Sequence, residues 1–373
     1  MVTGDDRITI GYKAGMAQLY KDGIDRRLSV APMMDWTDRH CRVFHRMIAP
    51  HAFLFTEMVT AEAVLHGDLD RLLGHCVDEH PLALQLGGSQ PDRLAAATRM
   101  ASEYVAEISG SKGDGAADAS QAGFAEINLN VGCPSDRVQS GRFGACLMAE
   151  PELVADCMRA MAEATDLPVT VKCRIGIDDM DEEAGLDRFI DIVSDAGVSI
   201  FYLHARKAWL KGLSPKENRD IPPLDYDRAR RLAARRSDLA IHLNGGIVTA
   251  ESALDEQAGF AGVMIGRAAY KTPMILAEIS ARLFDAPVCE RRAIAERMAD
   301  YADEKAANGT PLHTITRHML GLYTGQRGAK HWRRRLGEEA RLAASESSGF
   351  AKAGDLIRET AAQCETLAQQ WAA

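Results

Sequence analysis

The sequence lacks any long apolar segment. No run among its 373 residues approaches the ~20 apolar residues that cross a membrane. The stretch from Met1 to Arg27 also lacks the apolar core of a secretory signal. With 46% hydrophobic and 26% charged residues, the composition is typical of a globular soluble protein. We therefore expect a cytoplasmic protein with no membrane partner.

Cysteine pairs with metal-binding spacing are also missing. None of the eight cysteines forms a Cys-x-x-Cys pair, which argues against zinc ligation. Disulfides are rare in large cytosolic chains, so we expect most of these thiols to be small buried apolar groups. Any cysteine with a function should act singly.

The chain has no overall excess of positive charge. Its 44 Lys and Arg residues face 53 Asp and Glu residues, giving a net charge of −9. This balance argues mildly against a nucleic-acid partner, because phosphate contacts need Lys and Arg. Two local stretches differ: Arg206 to Arg219 holds five basic residues and one acid, and Arg327 to Arg335 holds five and none.

Short β-rich runs alternate with amphipathic helical stretches, which predicts βαβ units and a parallel sheet. Eight such units in about 240 residues favour a closed (β/α)₈ TIM barrel, assigned to residues 27–273. No solenoid-scale repeat is present. The predicted strands are Leu28–Ala31, Phe53–Thr56, Leu82–Leu86, Glu126–Asn130, Val169–Lys172, Ile200–His204, Ala240–Asn244 and Gly262–Ile265.

The β-rich signal ends at Pro273. Residues 274–373 contain helical patterns, including Arg291–Ala307, and are predicted to form a second, all-α domain. Residues 1–26 are predicted to be a polar extension. The small polar residues 109–121 are predicted to be a flexible insertion before the fourth strand.

Barrel enzymes carry their function at the carboxyl ends of the strands. The seventh strand is followed by Gly245 and Gly246, and the eighth by Gly266 and Arg267. Bare backbone N–H groups beside a guanidinium predict a phosphate site. The alternative is that these glycines only permit tight turns.

Other strand ends predict a site for a flat, electron-rich ring. Lys172 and His204 could stabilise charge on such a ring, although a structural carboxylate partner and a satisfied core histidine are the alternatives. Gln85 and Asn128 could pair with the edge of a heterocycle, unless Asn128 serves a turn or bulge. Cofactor contacts are also predicted for three residues after the first strand: Pro32, Met33 and Met34.

Cys133 differs from the other cysteines because it lies between a glycine and a proline, and hence on a loop. An ordinary thiol stays mostly protonated at neutral pH and can protonate a carbanion or enolate. A nucleophilic role is the alternative, but no histidine near it in sequence is an obvious base. An inert buried thiol also remains open.

Seven ordered motifs together resemble the tRNA-dihydrouridine synthases, and the long sixth one is most similar to the DusA subfamily. The resemblance runs from about Leu28 to at least Arg335. The motifs are APMMDWTD (31–38), QLGG (85–88), NLNVGCPS (128–135), VKCRIG (171–176), LHARKAWLKGLSPKENRDIPPLDY (203–226), NGGI (244–247) and IGRAAYKTP (265–273).

The resemblance implies FMN in the barrel mouth and NADPH, or NADH, as reductant. It implies that hydride from reduced FMN reaches C6 of a uracil and that Cys133 protonates C5. The implied target is uridine 20 or 20a in the tRNA D-loop. Cofactor contact is implied for Gln85, Lys172 and His204, and phosphate contact for Asn244, Gly245, Gly246, Gly266 and Arg267.

A stacked uridine must be extruded before it can enter a barrel mouth, at a cost of a few kcal/mol. The resemblance implies compensating tRNA contacts by Lys216 and Arg219, and by Lys330 and Arg333, whose spacing places them on one helix face. An ordinary solvated charge run is the alternative for each pair. Substrate contact is implied for Asn130, and further basic or aromatic contact for Trp332, Arg334 and Arg335. We expect a monomer without an obligate protein partner.

Two other functions fit parts of the sequence. An FMN barrel acting on a free pyrimidine, such as a dihydroorotate or dihydropyrimidine oxidoreductase, explains the phosphate site and the cysteine. It does not explain the basic C-terminal stretch. An RNA-binding chaperone without catalysis would not need Cys133, Lys172, His204 and Arg267 together. A metal-dependent hydrolase is disfavoured because the strand ends carry no His-x-His pair or carboxylate cluster.

Overall fold

The structure is a computed structural model that describes residues 22–104, 123–135, 141–341 and 351–370. The predicted insertion at 109–121 and residues 1–21 of the predicted extension lie outside the described residues.

Eight parallel strands form one sheet in the order β1-β8-β7-β6-β5-β4-β3-β2. The two ends of this order meet, because Ser29 bridges Phe53 and the Val30 amide donates to the Phe53 carbonyl at 2.9 Å. The predicted TIM barrel is therefore confirmed. The strands are β1 Leu28–Val30, β2 Leu54–Thr60, β3 Leu82–Gly87, β4 Glu126–Val131, β5 Val169–Arg174, β6 Ile200–His204, β7 Ala240–Asn244 and β8 Gly262–Ile265.

Helices connect the strands and cover the barrel. Asp38 caps the first helix by accepting hydrogen bonds from the His40 and Cys41 amides, because its side chain satisfies amide groups that have no intrahelical partner. The described helices up to the end of the barrel are α1 Arg39–Ile48, α2 Ala61–His66, α3 Leu69–Leu73, α4 Pro91–Glu103, α5 Pro151–Ala162, α6 Ala184–Asp195, α7 Tyr226–Arg235, α8 Ala250–Gln257 and α9 Arg267–Lys271.

The barrel interior below the mouth contains aromatic rings and a buried ion pair. Phe55 and Tyr202 pack edge to face with ring centroids 5.0 Å apart. The Arg26 guanidinium donates to the buried Glu126 carboxylate at 2.8 Å, and Thr170 donates to the same carboxylate at 2.6 Å. The carboxylate is thus compensated by both charge and hydrogen bonds, which a buried ion requires.

The described residues after the barrel are helical, which confirms the predicted C-terminal helical region. They form α10 Met274–Phe284, α11 Arg291–Ala307, α12 Leu312–Met319, α13 Ala329–Glu338 and α14 Asp355–Gln369. Helices α11 and α12 pack against α1 of the barrel. The residues on both sides share one hydrophobic cluster, and the domain boundary at residue 273 stays a prediction. None of the described helices is long and apolar enough to cross a membrane.

Candidate active site

Buried amide side chains of β3 and β4 form a hydrogen-bonded chain that reaches Thr170 near the start of β5. The Gln85 side chain donates to the side-chain oxygen of Asn128 at 2.8 Å and accepts from the side-chain nitrogen of Asn130 at 2.8 Å. Asn128 donates in turn to the Thr170 hydroxyl at 2.8 Å. Each amide retains unused donor or acceptor capacity, so Gln85 can still contact a bound ring. The chain fixes β3, β4 and β5 relative to one another.

The loop that carries Cys133 is anchored by Asn130. The side-chain oxygen of Asn130 accepts hydrogen bonds from the Gly132 and Cys133 amides, at 3.1 and 3.0 Å. The Ala145 amide donates to the Cys133 carbonyl at 2.9 Å. The Cys133 side chain remains partly exposed and lies 3.5 Å from the Ser135 hydroxyl oxygen. A partly exposed thiol on a fixed backbone can meet a substrate, unlike the buried Cys173 or Cys157.

Arg174 was not assigned a function from the sequence, but it joins three segments of the mouth. Its buried guanidinium donates to the carbonyl of Gly132 at 2.9 Å, of Lys207 at 2.9 Å and of Asn218 at 3.1 Å. Burial lowers the pKa of Arg174 to about 10, which still leaves it charged at neutral pH. It therefore fixes the Cys133 loop and adds positive charge beside it. An arginine at a strand end was the available sequence signal.

Lys172 and His204 lie at the ends of the neighbouring strands β5 and β6, as predicted. The Lys172 ammonium lies 3.2 Å from the Asn244 side-chain oxygen, and Asn244 donates to the Met264 carbonyl at 2.7 Å. Burial, followed by the charge of Arg174, lowers the pKa of Lys172 to about 8. Burial and the same cations hold the pKa of His204 well below its usual range, so the imidazole is neutral at neutral pH. A neutral imidazole and a lysine with a lowered pKa suit contact with an electron-rich ring.

The lowered pKa of Lys172 predicts a pH dependence of stability. Because the folded-state pKa lies below the unfolded value, the unfolded chain binds more protons between about pH 8 and pH 10.5, and stability rises with pH in that window. We expect the free energy of unfolding of the cofactor-free protein, relative to Lys172→Met, to increase from pH 7.5 to pH 10. Denaturant unfolding of both proteins at matched pH measures this. A constant difference would contradict the lowered pKa.

The two glycines after β7 have backbone conformations that side chains rarely adopt, and their predicted phosphate contact stays a prediction. Gly245 has φ 111° and Gly246 has φ 71°. A Cβ atom at Gly245 would lie 2.4 Å from the His204 ring, and one at Gly246 would lie 2.3 Å from Leu224. Gly266, by contrast, faces open space. The backbone at Gly245 thus contacts the His204 ring closely, and a bound group has room beside Gly266.

Arg267 makes an ion pair that the sequence did not predict. Its guanidinium donates to the Asp220 carboxylate at 2.6 Å and to the Arg219 carbonyl at 3.3 Å. The contact joins the end of β8 to the loop after β6. The Asp220 carboxylate already takes part of the hydrogen-bonding capacity of the Arg267 guanidinium. The predicted phosphate contact of Arg267 stays a prediction.

Asn218, whose role was not predicted from the sequence, holds the loop after β6 together through hydrogen bonds to the loop backbone. Its buried side chain accepts from the Trp209 amide at 2.8 Å and donates to the Trp209 carbonyl at 2.9 Å. It also contacts the Leu213 carbonyl at 3.2 Å. The flanking Lys216 and Arg219, which were singled out for their charge, are exposed. Asn218 therefore holds this loop in a fixed shape that presents both cations.

The loop after β1 carries the predicted cofactor contacts Pro32, Met33 and Met34. Met34 is 55% exposed, and the Met33 amide lies 2.9 Å from the Thr37 hydroxyl oxygen. Asp35 has φ 63°, and its amide donates to the Glu57 carboxylate. The structure gives Asp35 a role in the loop conformation. The three cofactor contacts stay predictions.

The predicted basic face on α13 is only partly present. Lys330 and Arg333 are exposed on this helix, as the spacing predicted. Trp332 is fully buried, and its indole N–H donates to the Met319 carbonyl at 2.8 Å. Arg335 pairs with the Glu339 carboxylate at 2.8 Å. The suggestion that Trp332 extends the RNA-binding face is therefore wrong. The contacts suggested for the exposed Arg334 and for Arg335 stay predictions.

Comparison with known proteins assigns the family. The dihydrouridine synthase model matches residues 29–109 and 114–353. The chain belongs to the dihydrouridine synthase family. Similar curated proteins include a tRNA-dihydrouridine(20/20a) synthase from Vibrio vulnificus, 52% identical over 84% of this chain and 91% of that protein, and one from Xanthomonas axonopodis, 54% identical over 84% and 89%.

Among solved structures, an old yellow enzyme homologue from Zymomonas mobilis aligns with a TM-score of 0.44, covering 71% of this chain and 90% of that one at 13% identity. This likeness is too distant to assign a role to any residue of this chain. Family membership confirms the family resemblance seen in the motifs, and with it the enzyme class of a flavin-dependent oxidoreductase.

The mouth residues fit a flavin nucleotide. A flavin presents a phosphate and a ring that gains negative charge on reduction, so it needs cations and N–H donors. The charges with the largest effect on His204 are all positive, namely those of Arg174, Lys172, Arg206 and Arg219. The buried Nε of Arg206 has no hydrogen-bond partner among the described residues. This excess of positive charge and unused donors matches an anionic ligand.

Proposed function

We propose that this protein reduces the C5–C6 double bond of uridines 20 and 20a in the tRNA D-loop, giving 5,6-dihydrouridine. FMN is the bound cofactor and NADPH, or NADH, the reductant. The names of the curated relatives support the substrate and positions. The observation that carries the proposal is the fixed, partly exposed Cys133 on the same rim as the cations Lys172 and Arg174.

The geometry of the mouth supports the proposed cofactor contacts. Lys172, His204 and Gln85 would hold the flavin ring, with Asn244 orienting Lys172. The backbone of Gly245, Gly246 and Gly266, with Arg267, would hold its phosphate. When bound and reduced, FMN supplies the hydride that C6 of the uracil receives.

Cys133 supplies the proton for the other carbon. Its thiol transfers the proton from Sγ to C5, and the electron pair of the S–H bond stays on sulfur as a thiolate. The cations Lys172, Arg174 and Arg219 lie close enough to interact with this sulfur, on the rim where the cofactor would bind. Reprotonation from solvent through the open mouth restores the thiol.

Asn130 has a positioning role for Cys133 besides its predicted substrate contact. Asn130→Ala removes the acceptor of two loop amides and the donor to Gln85. We expect FMN to bind normally and single-turnover reduction of uridine to slow by about 10²-fold, the cost of a misplacement of about 1 Å.

The alkylation rate of Cys133 by iodoacetamide, read by peptide mass mapping, separates the two roles of Asn130. A changed rate in Asn130→Ala without RNA indicates an altered loop. An Asn130→Ala protein with wild-type alkylation and wild-type turnover would remove the positioning role.

Contact with tRNA is proposed at two surfaces. Lys216 and Arg219 lie on the loop after β6, and Lys330 and Arg333 lie on α13. Both pairs are exposed and suit phosphate contacts that offset the cost of extruding the uridine. We also propose a cytoplasmic location and a monomer.

The proposed function is tested with the purified, flavin-loaded protein, NADPH and unmodified tRNA. Position-mapped mass spectrometry should find the mass of two added hydrogen atoms at uridine 20, 20a or both. Parallel reactions contain free uridine or orotate in place of RNA. Turnover of a free pyrimidine with no change in tRNA would replace the proposal by the small-molecule alternative.

A further inference from the structure

Two aromatic rings from opposite ends of the barrel sequence stack at the rim of the mouth. Trp36 lies on the loop after β1, and Tyr270 lies on α9 after β8. Their ring centroids are 4.4 Å apart and their planes differ by 17°. Strands β1 and β8 are paired, so both rings lie at the carboxyl-end rim. Both remain partly exposed, which a pair serving only the core would not need.

The C-terminal helices fix the stacked pair in place. The Tyr270 hydroxyl donates to the Arg317 carbonyl at 3.2 Å, and the Tyr270 ring packs edge to face on His318, with centroids 5.7 Å apart. Both Arg317 and His318 bond the Asp38 carboxylate. Asp38, which follows Trp36 by two residues, also caps the start of α1. The pair is thus held from the barrel and from α12, and it needs little ordering to bind a ligand.

The surroundings of the pair combine exposed apolar surface with the cations Arg317 and Lys271, and the acids Asp35 and Asp38 also lie on the loop that carries Trp36. Met34, on the same loop as Trp36, is 55% exposed. The Arg317 side chain is 45% exposed, and Lys271 beside Tyr270 in sequence is exposed. An unpaired nucleotide is complementary to this surface, because its flat base can stack on the rings and its phosphate can pair with a cation. Aromatic rings bind such bases with little sequence preference.

We propose that the Trp36–Tyr270 pair is a stacking platform for the nucleotide next to the target uridine. The proposal rests on the proposed function, because extrusion of a uridine into the mouth separates it from the base on which it stacked. That neighbouring base needs a new apolar face close to the mouth, and the pair offers one, with Arg317 placed for its phosphate. Stacking has little sequence preference, so the platform can bind the neighbouring base whichever of the two adjacent uridines enters the mouth.

The test uses the flavin-loaded wild-type protein and tRNAs that lack one base. An abasic residue replaces the 5′ or the 3′ neighbour of the target uridine, and the Kd is measured by fluorescence anisotropy. We expect one of the two abasic tRNAs to bind about tenfold more weakly than intact tRNA, as loss of one base–aromatic stack predicts. Trp36→Leu should bind intact tRNA about tenfold more weakly, and the abasic change should then have no further effect.

Trp36→Phe is the matched control, because it keeps a flat ring, and it should retain most of the affinity. Equal affinities of wild-type protein for intact and both abasic tRNAs would overturn the platform, whether or not Trp36→Leu folds. Loss of FMN from Trp36→Leu would also overturn it by assigning the ring to the cofactor site. A wild-type protein that neither binds nor reduces tRNA would overturn the proposed function together with the platform.

Discussion

Replacing Cys133 by alanine is expected to lower the rate of uridine reduction by about 10²- to 10⁴-fold, the usual contribution of a positioned acid. The substitution removes the proton donor but leaves the backbone contacts of the loop in place, because Asn130 bonds the Cys133 amide and not its side chain. FMN content and the Kd for tRNA should therefore stay close to wild type. The loss belongs to the chemical step and not to binding.

Single-turnover mixing of reduced enzyme with tRNA isolates that step from cofactor reduction. Cys146→Ala is the matched control, since Cys146 is also partly exposed and lies shortly after the same loop, where its thiol contacts the Phe143 carbonyl. Its turnover should match that of the wild type. Wild-type turnover in Cys133→Ala would remove the cysteine from the mechanism and leave solvent as the proton source.

The fold could be predicted because its signals are local and periodic. Six of the eight strands have the predicted bounds or end within one residue of them, among them Ile200–His204 and Ala240–Asn244. Buried parallel strands are continuous apolar runs, and the intervening helices show a different period. The strand ends then indicated the mouth, because a closed barrel brings all eight carboxyl ends together. The order of β-strand pairing follows from the same closure.

The polar contacts of the mouth were less predictable because they join residues distant in sequence. Asp220 and Arg267 are 47 residues apart, and Asp38 and Arg317 are 279 apart. Neither residue type nor local spacing indicates which charge meets which. Trp332 shows the same limit on a helix, where the rotation of about 100° between successive residues separates the buried Trp332 from the exposed Arg333. The amide chain of Gln85, Asn128 and Asn130 also required the register of β3 against β4.

Reversing the charge of Lys330 and Arg333 together is expected to weaken tRNA binding by at least about tenfold at physiological salt. Each side chain that contacts a phosphate releases a counterion, so log K against log salt has a slope of about −0.9 per contact on duplex nucleic acid. Lys330→Glu with Arg333→Glu should therefore also reduce this slope by about 2. Both residues are exposed on α13, away from the buried Trp332 and Leu336, so the helix should fold normally.

The measurement is the Kd for tRNA across a series of salt concentrations, with oxidation of NADPH by oxygen as the readout of an intact flavin site. Arg99→Glu with Arg159→Glu provides a control of equal charge change, because both residues are exposed on α4 and α5, outside the proposed RNA-binding surfaces. Since net charge alone affects long-range attraction, only a larger loss in the α13 variant supports direct contact. Equal losses in the two variants, with equal salt slopes, would place the tRNA on another face and leave the cations after β6 as its main anchor.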